Sequence, residues 1–416
     1  MSNNHISAPA QPKRLVSLDA LRGFDMFWIL GADEIFYALN ELSKHASAGI
    51  LSAPAAFLAY ELDHAEWAGF HFYDLIFPMF VFIMGVSTVF SLTRIIEQEG
   101  RASAVKRVVK RGVLLFIIGL IYSGGFTNPW PDMRLMGVLN RIAICYLFGG
   151  LVFCFFKPRT LMAMAVSLLL GYWALMALVP FPDVRPEPGG DAVITREAGF
   201  KSVSQLNMAS TNYIHGSYVQ GVTLANYIDQ KYLPGRKYDG TYDPEGILST
   251  MPALVTGLLG IFAGLLLQKQ SVPDRKKVVC LIGAGAASAA LGWLWNIEFP
   301  VIKKIWTSSY VLVAGGYSAM LLGAFYWIVD VQKKQTWCQP FIWIGMNPIT
   351  LYLTSNFFGG LGYGKLATRL AGGPVKAFLD THIAHGFGDL AIALIAVLIF
   401  IWYARFLYQR KIFLRL

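Results

Sequence analysis

Charge is what this chain has least of. Of 416 residues only 14% are Asp, Glu, Lys or Arg, where a soluble protein carries about a quarter. That shortage excludes an ordinary soluble enzyme. Alternating apolar and polar residues are also missing from the long runs, which excludes a membrane β-barrel. Cysteine is scarce: Cys145, Cys154 and Cys280 fall in apolar runs and Cys338 in a basic loop. None has metal-ligand spacing, so neither disulfides nor a bound metal are expected. No Walker A motif, Rossmann fingerprint or GxSxG elbow occurs, and no internal repeat is visible.

What is present is hydrophobic length, with 55% of residues apolar. Ten runs are long enough, or nearly so, to cross a bilayer. They lie at about 22–41, 70–93, 112–124, 135–156, 161–181, 248–268, 278–297, 305–329, 340–358 and 387–407. The run at 112–124 is short and extends into its basic flank. The expected fold is an all-α polytopic membrane protein of about ten transmembrane helices. The net charge of +10 does not signal nucleic acid, because the basic residues gather in short connections. Those connections are 94–111, 157–160, 269–277 and 330–339, together with the C-terminal tail. The positive-inside rule makes that side, and both termini, cytoplasmic. The opposite side carries the long segment 182–247, expected to fold as an extracytoplasmic cap. Residues 1–13 are expected to be a disordered tail without a cleavable signal, followed by one transmembrane domain, 14–416.

Ionisable residues within or beside such runs are expensive and mark function. In the first span, Arg22 and Asp25 are spaced to pair on a helix. Asp33 lies roughly 16 Å further along at 1.5 Å per residue, with Glu34 beside it. The stretch DHAEWAGFHFYDLIFPMFVFIMG, residues 63–85, runs a polar head straight into an apolar helix. Its His64 is suited to take and return a proton near neutrality. Because the first span ends on the side where His64 starts the second, Asp33 is expected to orient His64. Asp74 is expected to orient neighbouring groups, and His71 is a weaker candidate. Tyr242-Asp243-Pro244-Glu245-Gly246 reads either as a helix start or as an acidic rim for a cationic acceptor. Arg141 is costly to bury and is expected to face a carboxylate or phosphate. Lys303, Trp306 and Ser309 form a further polar point. Gly345 and Pro348 around Asn347 suggest a broken helix.

Taken in order, SLDALRGFD, HAEWAGFHFYDLIFPMFVFIMG, YDPEGIL, KKIWTSSYVL and GMNPITLYL resemble the heparan-α-glucosaminide N-acetyltransferase family of transmembrane acyltransferases. The resemblance runs from about residue 14 to the C-terminus and looks like that of a bacterial member lacking an extra lumenal domain. It implies transfer of acetyl from cytoplasmic acetyl-CoA to the amine of a glucosamine or related amino sugar across an inner membrane, with a homodimer as a family-based expectation. The family's HxxWxG histidine falls on His64, with Trp67 inside the motif and Asp74 downstream. Its first-span asparagine falls on Asp33, an acid here, which points to a His64–Asp33 dyad. Arg22 and Asp25 would support that dyad. Acetyl-CoA would be held by Arg141, Asn347, Ser309, Trp306, Lys303 and Arg111, and the acceptor by Asp243, Glu245 and Glu34. The alternative class is a proton-coupled transporter of amino sugars, with Asp33, His64 and Asp74 as its relay.

Overall fold

The structure is a computed structural model that describes residues 15–45, 52–127, 129–185, 208, 210–357 and 362–414. The expected tail 1–13 lies outside the described residues, as does part of the segment 182–247.

All ten expected runs are helical. Seven helical stretches are long and apolar enough to cross a membrane uninterrupted, among the described residues: Phe72–Glu99, Val138–Phe155, Pro158–Leu178, Thr250–Gln268, Asp274–Trp295, Ser308–Val331 and Phe387–Gln409. The other three runs depart from simple spans, each for a local reason. The first is α1 (Val16–Phe27) and α2 (Glu34–His45), separated by a wide turn at Trp28–Ala32 where Gly31 has φ +106°. That backbone region suits glycine alone. α3 (Ser52–Glu61) follows, and then α4 (Ile76–Glu99). The short third run proves to be the end of α5 (Arg101–Tyr122), whose first half carries Arg101, Lys106, Arg107, Lys110 and Arg111.

Next come α6 (Val138–Phe155), α7 (Pro158–Leu178), a two-residue hairpin of β1 (Phe181–Pro182) with β2 (Tyr213–Ile214), and α8 (Leu224–Tyr232). The chain then returns to the bundle as α9 (Thr250–Gln268), α10 (Asp274–Trp295) and α11 (Ser308–Phe325). The ninth run is α12 (Gln339–Met346) and α13 (Pro348–Phe357), broken at Asn347 with φ −132° and ψ 41°. Pro348 cannot donate into a continuing helix, which is why the break falls there. α14 (Gly362–His382) and α15 (Phe387–Gln409) close the chain.

α4 is apolar on nearly every side and is accordingly central. Its Met79, Val81, Phe82, Ile83, Val86 and Val89 are buried together with residues of α9 and α11. Small residues let the helices approach. A Cβ on Gly85 would strike the Gly257 carbonyl of α9. A Cβ on Gly23 of α1 would strike the Phe341 carbonyl of α12.

At one end of the bundle the connections fold into a cap with its own small core. Phe181, Val222, Leu224, Ala225, Phe299, Ile302 and Ile305 bury one another against Tyr172 and Met176 of α7. Antiparallel bridges stitch Ala68 to Ile302 and Arg134 to Gly235. The other end carries the lysine- and arginine-rich loops. The two ends are called the cap face and the basic face below.

Candidate active site

Residues 62–71 form a non-helical connection between α3 and a single tight turn, Phe72–Leu75, that leads into α4. Asp74 organises this connection. Its Oδ2 accepts from the backbone N–H groups of Ala65 and His71, both at 3.1 Å. Its Oδ1 lies 2.9 Å from His64 Nδ1. The Asp74 side chain is 1% exposed and that of His64 is 51% exposed, so a buried carboxylate holds a ring whose far side reaches the cap face.

Lys303 completes the group. Its Nζ is 3.2 Å from Asp74 Oδ1, 3.0 Å from His64 Nδ1 and 3.5 Å from His64 Nε2. Being nearly equidistant from the two ring nitrogens, the ammonium lies off both lone-pair directions, against the ring. Nδ1–H is therefore left to donate to Asp74, which makes Nε2 the unprotonated nitrogen of the neutral ring. Partial burial pulls the His64 pKa below the ordinary 6.5; the Asp74 hydrogen bond opposes this and the Lys303 charge adds to it. Burial likewise pulls Lys303 below its ordinary 10.5, against the pull of Asp74.

The expected His64–Asp33 dyad is not what the structure forms: the carboxylate bonded to His64 is Asp74, and the Tyr73 hydroxyl near Asp33 donates to the Trp28 carbonyl at 3.5 Å. Tyr73 packs its ring 4.9 Å from that of His64. The reason is the wide turn at Gly31. Asp33 sits just beyond it and starts α2, where its carbonyl accepts from Phe36 and Tyr37. Glu34 beside it is exposed. His71 is turned away, onto the Asp63 carbonyl (3.1 Å) and the Tyr60 ring (4.2 Å). Trp67 anchors the cap by donating from Nε1 to the Tyr218 carbonyl at 2.7 Å.

The acidic rim is also corrected. Asp243 and Glu245 are buried. Arg134 takes both oxygens of Asp243 at 2.7 and 2.8 Å and Glu245 Oε2 at 2.6 Å, with its guanidinium stacked 4.7 Å from the Tyr238 ring. These carboxylates tie the cap to the bundle and are not open to an acceptor. Arg134 went unnoticed in the sequence; its one signal is a lone arginine in the short connection 125–134.

Of the residues expected to hold acetyl-CoA, Arg141 lies against the turn that carries Lys303, Trp306 and Ser309. Arg141 is fully buried at the cap end of α6. It donates to Ser249 Oγ at 2.5 Å and stacks 4.9 Å from the Trp306 ring, while its Nε and Nη1 have no partner. Among the described residues no carboxylate is hydrogen-bonded to it; its protein partners are Ser249 and the Gly246 carbonyl. Trp306 donates to Thr256 Oγ1 at 3.1 Å. The Ser309 hydroxyl bonds to the Pro300 carbonyl and the Thr307 hydroxyl, which makes it part of a turn. Arg111, halfway along α5, stacks 4.8 Å from the Tyr146 ring. The buried amide of Asn347 has no partner on either atom. Arg22 bonds to Asp19, Ser87 and the Gly345 carbonyl, and the expected pair with Asp25 does not form. Asp25 is fully buried with no hydrogen-bond partner for either oxygen.

The apolar helices form the bundle of a multi-pass membrane protein, with a carboxylate-tethered imidazole at one mouth. Residues 14–186 match the family model described as heparan-alpha-glucosaminide N-acetyltransferase, catalytic. The human protein named heparan-alpha-glucosaminide N-acetyltransferase is 28% identical over 390 residues, covering 84% of this chain and 55% of that protein. The mouse protein of the same name is 28% identical over 324 residues, covering 70% of this chain and 48% of that protein. The chain spans about half the length of these relatives. The matches bear out the resemblance read from the motifs.

Proposed function

We propose that the chain is a transmembrane acetyltransferase, moving acetyl from acetyl-CoA supplied at the basic face to the amine of glucosamine or a related amino sugar at the cap face. One observation carries this most: His64 is tied through Nδ1 to a buried carboxylate while half of its side chain stays exposed at the mouth. The relatives named as N-acetyltransferases give that geometry its chemistry.

In the proposed reaction His64 Nε2 takes a proton from the acceptor nitrogen as that nitrogen bonds to the thioester carbonyl carbon. The C–S bond then breaks and Nε2 returns the proton to the departing thiolate. An amine and a thioester thus become an amide and a thiol. Asp74 holds the tautomer and stabilises the transient imidazolium, the role a carboxylate plays behind any catalytic histidine. A base so placed contributes about 10²–10⁴-fold, and bringing both substrates to one mouth adds the proximity effect. The exposed Asp63, Glu66 and Glu34 suit a cationic amino sugar approaching that mouth. The coenzyme phosphates suit the exposed Arg107 and Lys110 of α5, with the basic face toward the cytoplasm of a plasma membrane.

The test uses purified protein in liposomes, acetyl-CoA on the basic side and glucosamine on the other, read by mass spectrometry. N-acetylglucosamine on the cap side is the expected product. Accumulated unmodified sugar would replace this reading with transport. Labelled acetyl-CoA without acceptor distinguishes direct transfer, which leaves the enzyme unlabelled, from a route through an acetylated His64.

A further inference from the structure

We propose that Lys303 is a positioning residue for His64: its ammonium, held against the imidazole by Asp74, keeps the ring unprotonated between turnovers and drives its proton back out to the leaving group. This rests on the acetyltransferase reading for the identity of that leaving group. The placement itself does not depend on that reading.

Lys303 is delivered by one of the most constrained turns in the molecule. Val301, Ile302, Ile305 and Trp306 around it are all buried. Trp306 adopts φ +51°, a conformation that a bulky side chain occupies only when its surroundings enforce it. Thr307 Oγ1 accepts from Ile302 N–H, and Asn296 Oδ1 accepts from Val301 N–H. The Gly69 N–H donates to the Val301 carbonyl at 2.9 Å, which joins this turn directly to the strand of chain that carries His64. The neighbouring Lys304 is fixed to Asp239 of the cap at 3.2 Å. A lysine held this way is not a flexible surface cation waiting for a phosphate.

The charged and titratable groups facing the His64 ring are Asp74, Lys303, Asp63 and Tyr73. While the ring is neutral, Asp74 balances the lysine charge. Once Nε2 has taken a proton, an imidazolium and an ammonium stand within hydrogen-bond distance, sharing one carboxylate. Like charges that close disfavour the protonated ring, so the proton passes on to the thiolate instead of remaining. A base that must act as an acid a moment later gains from such a neighbour.

The experiment compares wild type with Lys303→Met, Lys303→Arg and, as a second neutral form, Lys303→Gln, each first shown to be monodisperse in detergent. His64 is modified with diethylpyrocarbonate across a pH series without substrate, and the peptide is quantified by mass spectrometry. Loss of the charge is expected to raise the midpoint of His64 reactivity by roughly one pH unit or more, with arginine keeping it near wild type. Steady-state rates with acetyl-CoA should show kcat lowered and KM nearly unchanged. An unmoved midpoint in both neutral variants overturns the proposal. So does a rise in KM for acetyl-CoA with unchanged kcat, which would make Lys303 a coenzyme ligand. Absence of acetyl transfer by the wild type would overturn the acetyltransferase reading alone, since the modification midpoints still decide the role of Lys303.

Discussion

His64 and Asp74 are ten residues apart and meet only because the chain reverses between them, so their pairing is a property of the loop and not of a helix face. Replacing His64 by Ala should lower kcat by about 10²–10⁴-fold with little change in KM for acetyl-CoA; survival of wild-type turnover would remove His64 from the chemistry. The pH profile has a definite sign. The neutral ring is the active form, so activity falls as pH drops through the His64 pKa. Because burial and Lys303 hold that pKa below 6.5, the midpoint of the acidic limb should lie below 6.5 as well. A limb centred above 6.5 would mean that the imidazole is dominated by its carboxylates. The sequence singled out His64, Asp33, Asp74 and Lys303 as ionisable residues in or beside apolar runs. It did not say who pairs with whom. Lys303 reaches His64 from 239 residues away, a contact set by the fold of the cap, and no local spacing encodes it.

At the level of elements, apolar length located the seven long apolar helices, because crossing a bilayer is a demand each segment meets locally, but it missed α3, α8 and α14, which lie outside the apolar runs. The breaks at Gly31 and Asn347 were only partly legible: Pro348 announces the second, while a glycine inside an apolar run reads equally as close packing. The cap was legible as a long segment and its attachment was not. That attachment makes two predictions. Arg134→Ala leaves Asp243 and Glu245 buried without their cation, and breaking one partner of such a cluster costs about 3–5 kcal/mol; the thermal midpoint in detergent should fall markedly, with the cap exchanging amide hydrogens first. Asp229 is buried in the same region, accepts from the Ile247 N–H at 2.9 Å, and has its carboxyl pushed up to about 7 by burial. A carboxyl whose folded pKa exceeds its unfolded value binds more protons when folded, so stability falls as pH rises. The cap should therefore loosen between about pH 4 and pH 7. Asp229→Asn keeps the acceptor for Ile247 and should flatten that dependence in hydrogen exchange.

Across the whole molecule, the two faces differ in kind. The basic face is made of helix ends and short connections with exposed lysines and arginines, and the cap face is a folded layer over the helix ends that holds His64, Lys303 and the start of α4. The reaction proposed here joins a coenzyme that carries several phosphates to a cationic sugar, and these two substrates suit opposite faces. Such a division has a value only if the faces look into different compartments. Sidedness is therefore the property on which a vectorial reaction depends, and it can be measured without any substrate. Ser271→Cys places a thiol in the exposed basic loop before α10, and Glu298→Cys places one at the exposed cap end after it; three of the four native cysteines are buried. A membrane-impermeant maleimide applied to intact cells should label the cap-face thiol at once and the basic-face thiol only after the membrane is opened, as the positive-inside rule requires. The reverse pattern would turn the molecule over, put His64 on the same side as cytoplasmic acetyl-CoA, and leave transfer across the bilayer with no physical basis.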